Sequence, residues 1–188
     1  STLKDEIKSI YSKSKETLPD NYAKDLEDGF LYGDKLTEDT VHENGNLFII
    51  NWEEGQKTGF FLDQRDNRKL VGEFSKNKSV LNCFCYTGGF SVYAGKGGAI
   101  NVESIDISAK AMALTDKNIE LNSITHHKSL TANVMEHLSK NTESYDVVIV
   151  DPPAFAKNIS KRHNAIQAYK RLNALALKAV NPGGLLFT

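Results

Sequence analysis

The sequence predicts an α/β fold, a parallel sheet with helices on both faces, preceded by a small α+β segment. Strand-like and helix-like segments alternate from residue 65 onward, and such alternation builds a parallel sheet covered on both sides. The run "YDVVIVD" is a stretch of β-branched residues that ends in two prolines, the composition of a fully buried strand. Before residue 63 the signals are of another kind, dominated by the Asn44-Gly45 pair between two alternating segments, a strong hairpin signal. Residues 1–62 are therefore assigned to the small segment and 63–188 to the parallel-sheet domain.

Taken in order, Leu3, Ile7, Ile10 and Tyr11 fall on one helical stripe, which Pro19 ends, so residues 3–18 are expected to form an amphipathic helix. In "DTVHENGNLFIINWEEGQKTGFFLD" the Asn44-Gly45 turn and a second turn at Glu54-Gly55 predict a small antiparallel meander, with Trp52, Phe60 and Phe61 as its core. Strands are expected at 79–85, 99–106 and 145–151, with another starting at 184. Helices fall near 65–75, 89–95, 108–121, 131–139 and 161–180, and His126-His127 is read as a solvated loop. The chain shows no internal repeat or low-complexity tract.

Composition narrows the function. With 188 residues, 40% hydrophobic and 25% charged, nothing suggests disorder. The net charge of −1, with lysines spread along the chain, gives no sign of a wide basic face for nucleic acid. No run of about 18 apolar residues occurs and the start lacks the apolar centre of a signal peptide, so a cytoplasmic protein without a membrane anchor is expected. Cys83 and Cys85 stand two apart on a predicted strand, poorly placed to bridge each other. Two cysteines cannot form a zinc site unaided, and no metal is expected.

In an open α/β sheet, ligands bind beyond the carboxyl ends of the strands, near the point where strand order reverses. The loops to inspect are then 86–90, 106–108, 131–134 and 151–157. In "YTGGFS", Gly88 and Gly89 let the backbone bend sharply and let a ligand approach, although a purely structural turn would use them too. The G-x-G-x-x-G spacing of a pyrophosphate turn is absent, which argues against a nicotinamide oxidoreductase. Asp106 ends the second predicted strand 18 positions after Gly88, near the interval at which a carboxylate meets ribose hydroxyls; alternatively it helps to cap the next helix. "VDPPAFAKN" ends a strand in Asp151-Pro152-Pro153, where two fixed φ angles and two missing donors leave a rigid arc. Such an arc suits the hydrogen-bonding edge of a flat base, with Phe155 available to stack; a plain strand-ending loop is the other reading.

These residues carry a family resemblance. "VLNCFCYTGGFSVYA", "SIDIS" and "VDPPAFAK" resemble motifs I, II and IV of class I S-adenosylmethionine-dependent methyltransferases, and "GQKTGFFLDQRDNR" is similar to the bacterial 23S ribosomal RNA large-subunit methyltransferase I type. Those are cytosine-5 enzymes with a PUA domain, a small central α/β domain and a Rossmann-like methyltransferase domain. The resemblance implies S-adenosylmethionine as cofactor and 23S rRNA as partner. It would place Tyr86, Thr87, Gly88, Gly89 and Phe90 around the methionine end, Asp106 on the ribose and Ile107 on the adenine. Asn133 stands where the family usually has an aspartate touching the adenine amine. Gln64 and Arg65 would sit over the cofactor; the alternative is a helix start with a surface ion pair to Asp63 or Asp66.

By the same resemblance Asp151 would orient the base and border the cofactor, with Pro152, Pro153, Phe155 and Lys157 facing substrate. The family's chemistry has a cysteine thiolate add to cytosine C6, after which C5 takes the methyl group. That cysteine lies in a Thr-Cys-Ser-type segment past the fifth strand, which would fall beyond Thr188, and Cys85 is expected to pack as a small apolar group instead. The resemblance thus implies a sheet incomplete at its C-terminus, a piece of a longer enzyme that would bind cofactor weakly and not methylate alone. Two other activities stay open: methylation of a guanine nitrogen, which needs no cysteine, and a non-catalytic RNA-binding platform.

Overall fold

The structure is a computed structural model, and it describes residues 7–15, 18–23, 26–36, 38–156 and 162–188. The chain divides into two compact units, Ser1–His42 with Ile49–Gln64, and Glu43–Phe48 with Arg65–Thr188.

The first unit departs from the sequence expectation at its start. Among its described residues the expected helix over 3–18 is replaced by strand β1 (Ser9–Ser12), antiparallel to β2 (Gly29–Gly33), with the short helix α1 (Asp20–Ala23) between them. Leu3 lies outside the described residues. The stripe of Ile10 and Tyr11 is β-branched and aromatic, composition that a neighbouring strand can capture. "GFLYG" is that neighbour: Tyr11 pairs with Phe30, their rings edge to face at 4.9 Å.

Strands β3 (Glu38–Glu43) and β4 (Asn46–Asn51) form the hairpin at Asn44-Gly45, both left-handed with φ of 51° and 81°, as a two-residue hairpin turn requires. The expected meander stops there. The second turn forms, the Gly55 N–H donating to the Asn51 carbonyl at 2.9 Å, but no third strand follows among the described residues. Lys57 and Gly59 are left-handed (φ 51° and 89°), which breaks an extended chain. Phe60 is buried, whereas Phe61 is half-buried with the Lys57 ammonium 4.6 Å from its ring centre. The Lys13 ammonium donates to the Trp52 and Glu53 carbonyls at 2.7 and 2.8 Å, holding the chain that leaves β4.

The second unit is the α/β sheet. In chain order it comprises α2 (Arg65–Phe74), β5 (Ser79–Cys83), α3 (Gly89–Lys96), β6 (Asn101–Asp106) and α4 (Ala109–Leu121). Then come β7 (His127–Thr131), α5 (Val134–Lys140), β8 (Tyr145–Val150), α6 (Arg162–Lys178) and β9 (Val180–Phe187). The strands run β7-β6-β5-β8-β9, every pair parallel. Successive side chains alternate between two buried layers: Leu81, Ile105, Val148 and Val150 pack with Leu138 and Leu172, while Val80, Val102, Val147 and Ile149 pack with Val71, Phe90 and Ala94. Two-sided burial is why these strands read as continuous apolar runs.

Two elements correct the sequence reading. His127 begins the edge strand β7 instead of lying in a loop, because residues 127–131 pair with β6, Val102 opposite His127, while the strand's polar composition hides it from pattern reading; the Ser104 hydroxyl lies 2.7 Å from His127 Nε2. Strand β9 starts at Val180, four residues early, with an irregular register between Tyr145 and Val147. No helix of the described residues is long and apolar enough to cross a membrane.

Candidate cofactor site

The strand order reverses between β5 and β8, since the chain winds outward from β5 through β6 to β7 and then returns to lay β8 on its other side. In sheets of this kind the segments leaving two such strands part, and the crevice outside their carboxyl edge is where ligands bind. Along that edge lie Asp106 at the end of β6, the turn 84–88 after β5, and Asp151 after β8.

The turn is unusual in its backbone. Phe84 and Tyr86 are non-glycine residues in the left-handed region, at φ 58° and 50°, and Gly88 follows at φ 76° as the N-cap of α3. Left-handed bulky residues are sparsely populated and cluster at functional sites. Helix α4 holds the turn from behind. The Thr115 hydroxyl donates to the Tyr86 carbonyl at 2.9 Å and the Asn118 amide donates to the Thr87 carbonyl at 2.9 Å. Both side chains are fully buried. Sequence reasoning missed them; their signal is a pair of polar residues three apart on the inner face of a helix.

The glycine pair serves the structural turn that the sequence offered as one of its two readings. A Cβ on Gly88 would stand 2.6 Å from Thr115 Cγ2, and one on Gly89 would stand 3.0 Å from Arg68 Cδ. The space freed by the missing side chains is thus used by the protein's own packing. Phe90 likewise turns its ring into the core, 6.2 Å from that of Phe187, so what it can offer a ligand is its backbone N–H in the first turn of α3.

Asp106 is half-buried and oriented by two backbone donors, Tyr86 N–H to Oδ2 at 3.0 Å and Ser108 N–H to Oδ1 at 2.9 Å. The cap of α4 comes from Ser108, whose hydroxyl accepts from the Ala111 N–H at 3.2 Å. Two oxygens provide about four lone-pair directions, so this carboxylate keeps acceptor capacity for a diol. Ile107 beside it is 70% exposed, an aliphatic surface of the kind a purine face covers. Asn133 is the N-cap of α5, its Oδ1 accepting from the Glu136 N–H at 3.2 Å, so the carbonyl first considered for an adenine amine is engaged in capping.

At the other wall, Asp151 is exposed just past the buried Val150. Pro152 is half-buried and Pro153 exposed. The Phe155 ring packs on Tyr169 at 4.6 Å and against the core layer beneath β8, which engages part of the surface considered for base stacking. Lys157 lies outside the described residues. Arg65 forms the surface ion pair with Asp66, Nε to Oδ1 at 3.1 Å, the alternative weighed for it. Gln64, half-buried, falls in the first unit and Arg65 in the second.

Cys83 and Cys85 are buried, free thiols, and burial pushes both up to about 12, followed by the neighbouring thiol for Cys83 and by Asp106 for Cys85. Neither supplies a thiolate near neutral pH. Among the described residues no group of three or more His, Cys, Asp or Glu is placed to hold a metal ion.

A doubly wound sheet with a strained turn after its first strand and an oriented carboxylate at the end of the adjacent strand has the architecture of an α/β protein that holds a nucleoside-bearing cofactor. Residues 11–188 match the family of S-adenosylmethionine-dependent methyltransferases, and the chain belongs to that family. It is 39% identical over 187 residues to the ribosomal RNA large subunit methyltransferase I of Aeromonas hydrophila, covering 96% of this chain and 47% of that protein. To the protein of the same name from Shewanella denitrificans it is 40% identical over 153 residues, 79% of this chain and 38% of that one. The chain thus spans less than half the length of these curated relatives. Among solved structures, a SAM-dependent methyltransferase from Streptococcus mutans superposes with a TM-score of 0.74 at 30% identity, over 85% of this chain and 43% of the other. SMU.776, a methyltransferase complexed with SAH, gives 0.71 at 30% identity over the same shares. A SAM-dependent methyltransferase from Agrobacterium tumefaciens, 18% identical, shares the fold over 98% of this chain and 59% of its own, with a TM-score of 0.77.

The residues present fit the family's cofactor. Asp106 has carboxylate acceptors suited to a diol, Ile107 an exposed apolar surface suited to a purine, and the turn 84–88 leads directly into the first N–H groups of α3.

Proposed function

We propose that the chain is the cofactor-binding part of an enzyme that methylates a base of 23S ribosomal RNA, with cytosine C5 as the target atom. The observation that carries the rRNA methyltransferase reading is the identity of 37–40% to curated large-subunit rRNA methyltransferases I, extending over up to 97% of the chain, while the C5 target rests on the sequence resemblance alone.

The cofactor supplies an electrophilic methyl group on sulfonium. The chain's own residues do the positioning: Asp106 and Ile107 hold the nucleoside end, and the turn from Tyr86 through Phe90 holds the amino-acid end. Asp151 with Pro152 and Pro153 forms a stiff rim for the base edge, close enough through the β5–β8 pairing to share the same crevice. Cytosine C5 is a weak nucleophile and needs a thiolate at C6. Cys83 and Cys85 are too deeply buried to serve, so that thiolate is drawn from elsewhere in the enzyme. Their burial is also the observation on the side of a guanine-nitrogen target, which requires no cysteine.

The test has two stages. Calorimetric titration with S-adenosylhomocysteine should give saturable binding that Asp106→Asn weakens roughly tenfold, the loss of a charge-assisted hydrogen bond. Methyl transfer from labelled cofactor to unmodified 23S rRNA by the whole enzyme, followed by nucleoside mass spectrometry, should yield 5-methylcytidine. N-methylguanosine would select the nitrogen reading, and binding of RNA without cofactor binding would select the platform.

A further inference from the structure

Residues 43–48, the tip of the β3–β4 hairpin, belong to the sheet unit although they are distant from it in sequence. We propose that this tip is a positioning element for the cofactor turn, acting through Arg68 and Tyr93 on one side and through Asn122 and Asn118 on the other. The inference rests on the reading that the turn 84–88 receives S-adenosylmethionine.

The first arm starts at Glu43, whose carboxylate takes Arg68 in two-point fashion, Nε to Oε1 at 2.8 Å and Nη2 to Oε2 at 2.7 Å. The side chains are 8% and 3% exposed, so both charges depend on this partnership. Arg68 in turn lies against the first residue of α3, its Cδ 3.0 Å from where a Gly89 Cβ would be. One helical turn further on, the Tyr93 hydroxyl donates to Glu43 Oε1 at 3.0 Å and accepts from the Asn44 amide at 3.0 Å. The fully buried Phe48 stacks on the same tyrosine at 6.2 Å and 13°. Helix α3 is therefore gripped at its start and at its second turn by one carboxylate of the tip.

The second arm starts at Leu47, whose N–H donates to Asn122 Oδ1 at 3.0 Å and whose carbonyl accepts from Asn122 Nδ2 at 2.7 Å. The same amide donates to the Asn118 carbonyl at 2.7 Å, and the Asn118 side chain reaches the Thr87 carbonyl at 2.9 Å. This hydrogen-bonded path runs from the tip to the middle of the turn, and Asn118 and Asn122 are buried along it.

The physical need for such a brace is the turn's own conformation. Phe84, Tyr86 and Gly88 all sit at positive φ. Sparse conformers of this kind persist only where the surroundings over-determine them. A turn left free would have to be ordered by the ligand at the expense of affinity. None of Glu43, Arg68, Tyr93, Asn118 and Asn122 needs to touch the cofactor for this effect.

The experiment compares the wild-type protein with Tyr93→Phe, which removes one hydroxyl from a packed ring, and with the double variant Glu43→Leu/Arg68→Met, which replaces the buried pair by apolar groups. S-adenosylmethionine affinity is measured by calorimetry, and amide hydrogen exchange by mass spectrometry or NMR. Both variants should melt within a few degrees of wild type. Both should bind cofactor roughly tenfold more weakly, with exchange faster by a similar factor at residues 86–90 and unchanged in β8. Unchanged affinity and exchange in Tyr93→Phe would overturn the proposal, as would acceleration spread equally over β8, the mark of a merely structural residue. Failure of the wild type to bind S-adenosylmethionine is a separate outcome that overturns the methyltransferase reading itself.

Discussion

Substituting Gly88 by alanine perturbs the cofactor turn at the point where its geometry is most constrained, and the structure permits the effect to be divided in two. The first part is conformational: φ at Gly88 is 76°, and a non-glycine residue in the left-handed region costs about 1–2 kcal/mol. The second is steric, because the new methyl would sit 2.6 Å from Thr115 Cγ2 and 3.2 Å from its Oγ1. Thr115 is fully buried and its hydroxyl is committed to the Tyr86 carbonyl, so it cannot swing aside freely. Overpacking of this kind costs about 1–3 kcal/mol. The sum is about 2–5 kcal/mol, and at its centre it lowers Tm by roughly 7–14 °C for a domain of this size. Thermal unfolding followed by circular dichroism measures it. The second variant separates the parts: Gly88→Ala/Thr115→Ser deletes the clashing Cγ2 and keeps the hydroxyl, so it should recover the steric share and leave the conformational one. A single variant as stable as wild type, or a double variant no better than Gly88→Ala, would refute the argument.

Three further outcomes follow from the same geometry. Cys83 and Cys85 should resist iodoacetamide at pH 8 in the folded protein and react stoichiometrically in denaturant, as read by intact mass, because burial holds both thiols near a pKa of about 12. The His127 imidazole is lowered to about 4 by burial, so between about pH 6.5 and 4 the unfolded chain takes up a proton that the folded chain refuses. Stability should therefore fall as pH drops through that window, and His127→Gln should flatten the slope of Tm against pH. Arg68→Met alone leaves the Glu43 carboxylate buried without its cation and should cost about 3–5 kcal/mol in urea unfolding.

The sheet domain was legible because its signals are local. "VLNCFC" and "YDVVIV" are largely apolar runs with both faces buried, "VESID" places Val102 and Ile105 in the two core layers, and the helices between them carry their own periodicity and caps, such as Ser108 at the start of α4. Strand β7 was not, since "HKSLT" lies at an edge and takes its conformation from pairing with β6 rather than from its own composition. Residues 9–12 show the same effect more strongly: their stripe fits a helix in isolation, and only the partner "GFLYG" makes a strand of them.

By itself the sequence determined the parallel sheet and where its strands end, and so the carboxyl edge along which Asp106 and Asp151 fall, because local pattern locates the strand ends. Only the tertiary structure decided what holds those residues in place. The uses of Thr115, Asn118 and Asn122, the pairing of Glu43 with Arg68, and the turning of Phe90 into the core all join residues far apart along the chain, from 25 positions for Glu43 and Arg68 to 97 for Phe90 and Phe187. Contacts at that separation leave no periodicity behind, since burial and hydrogen-bond satisfaction arise only once the two faces of the sheet have closed.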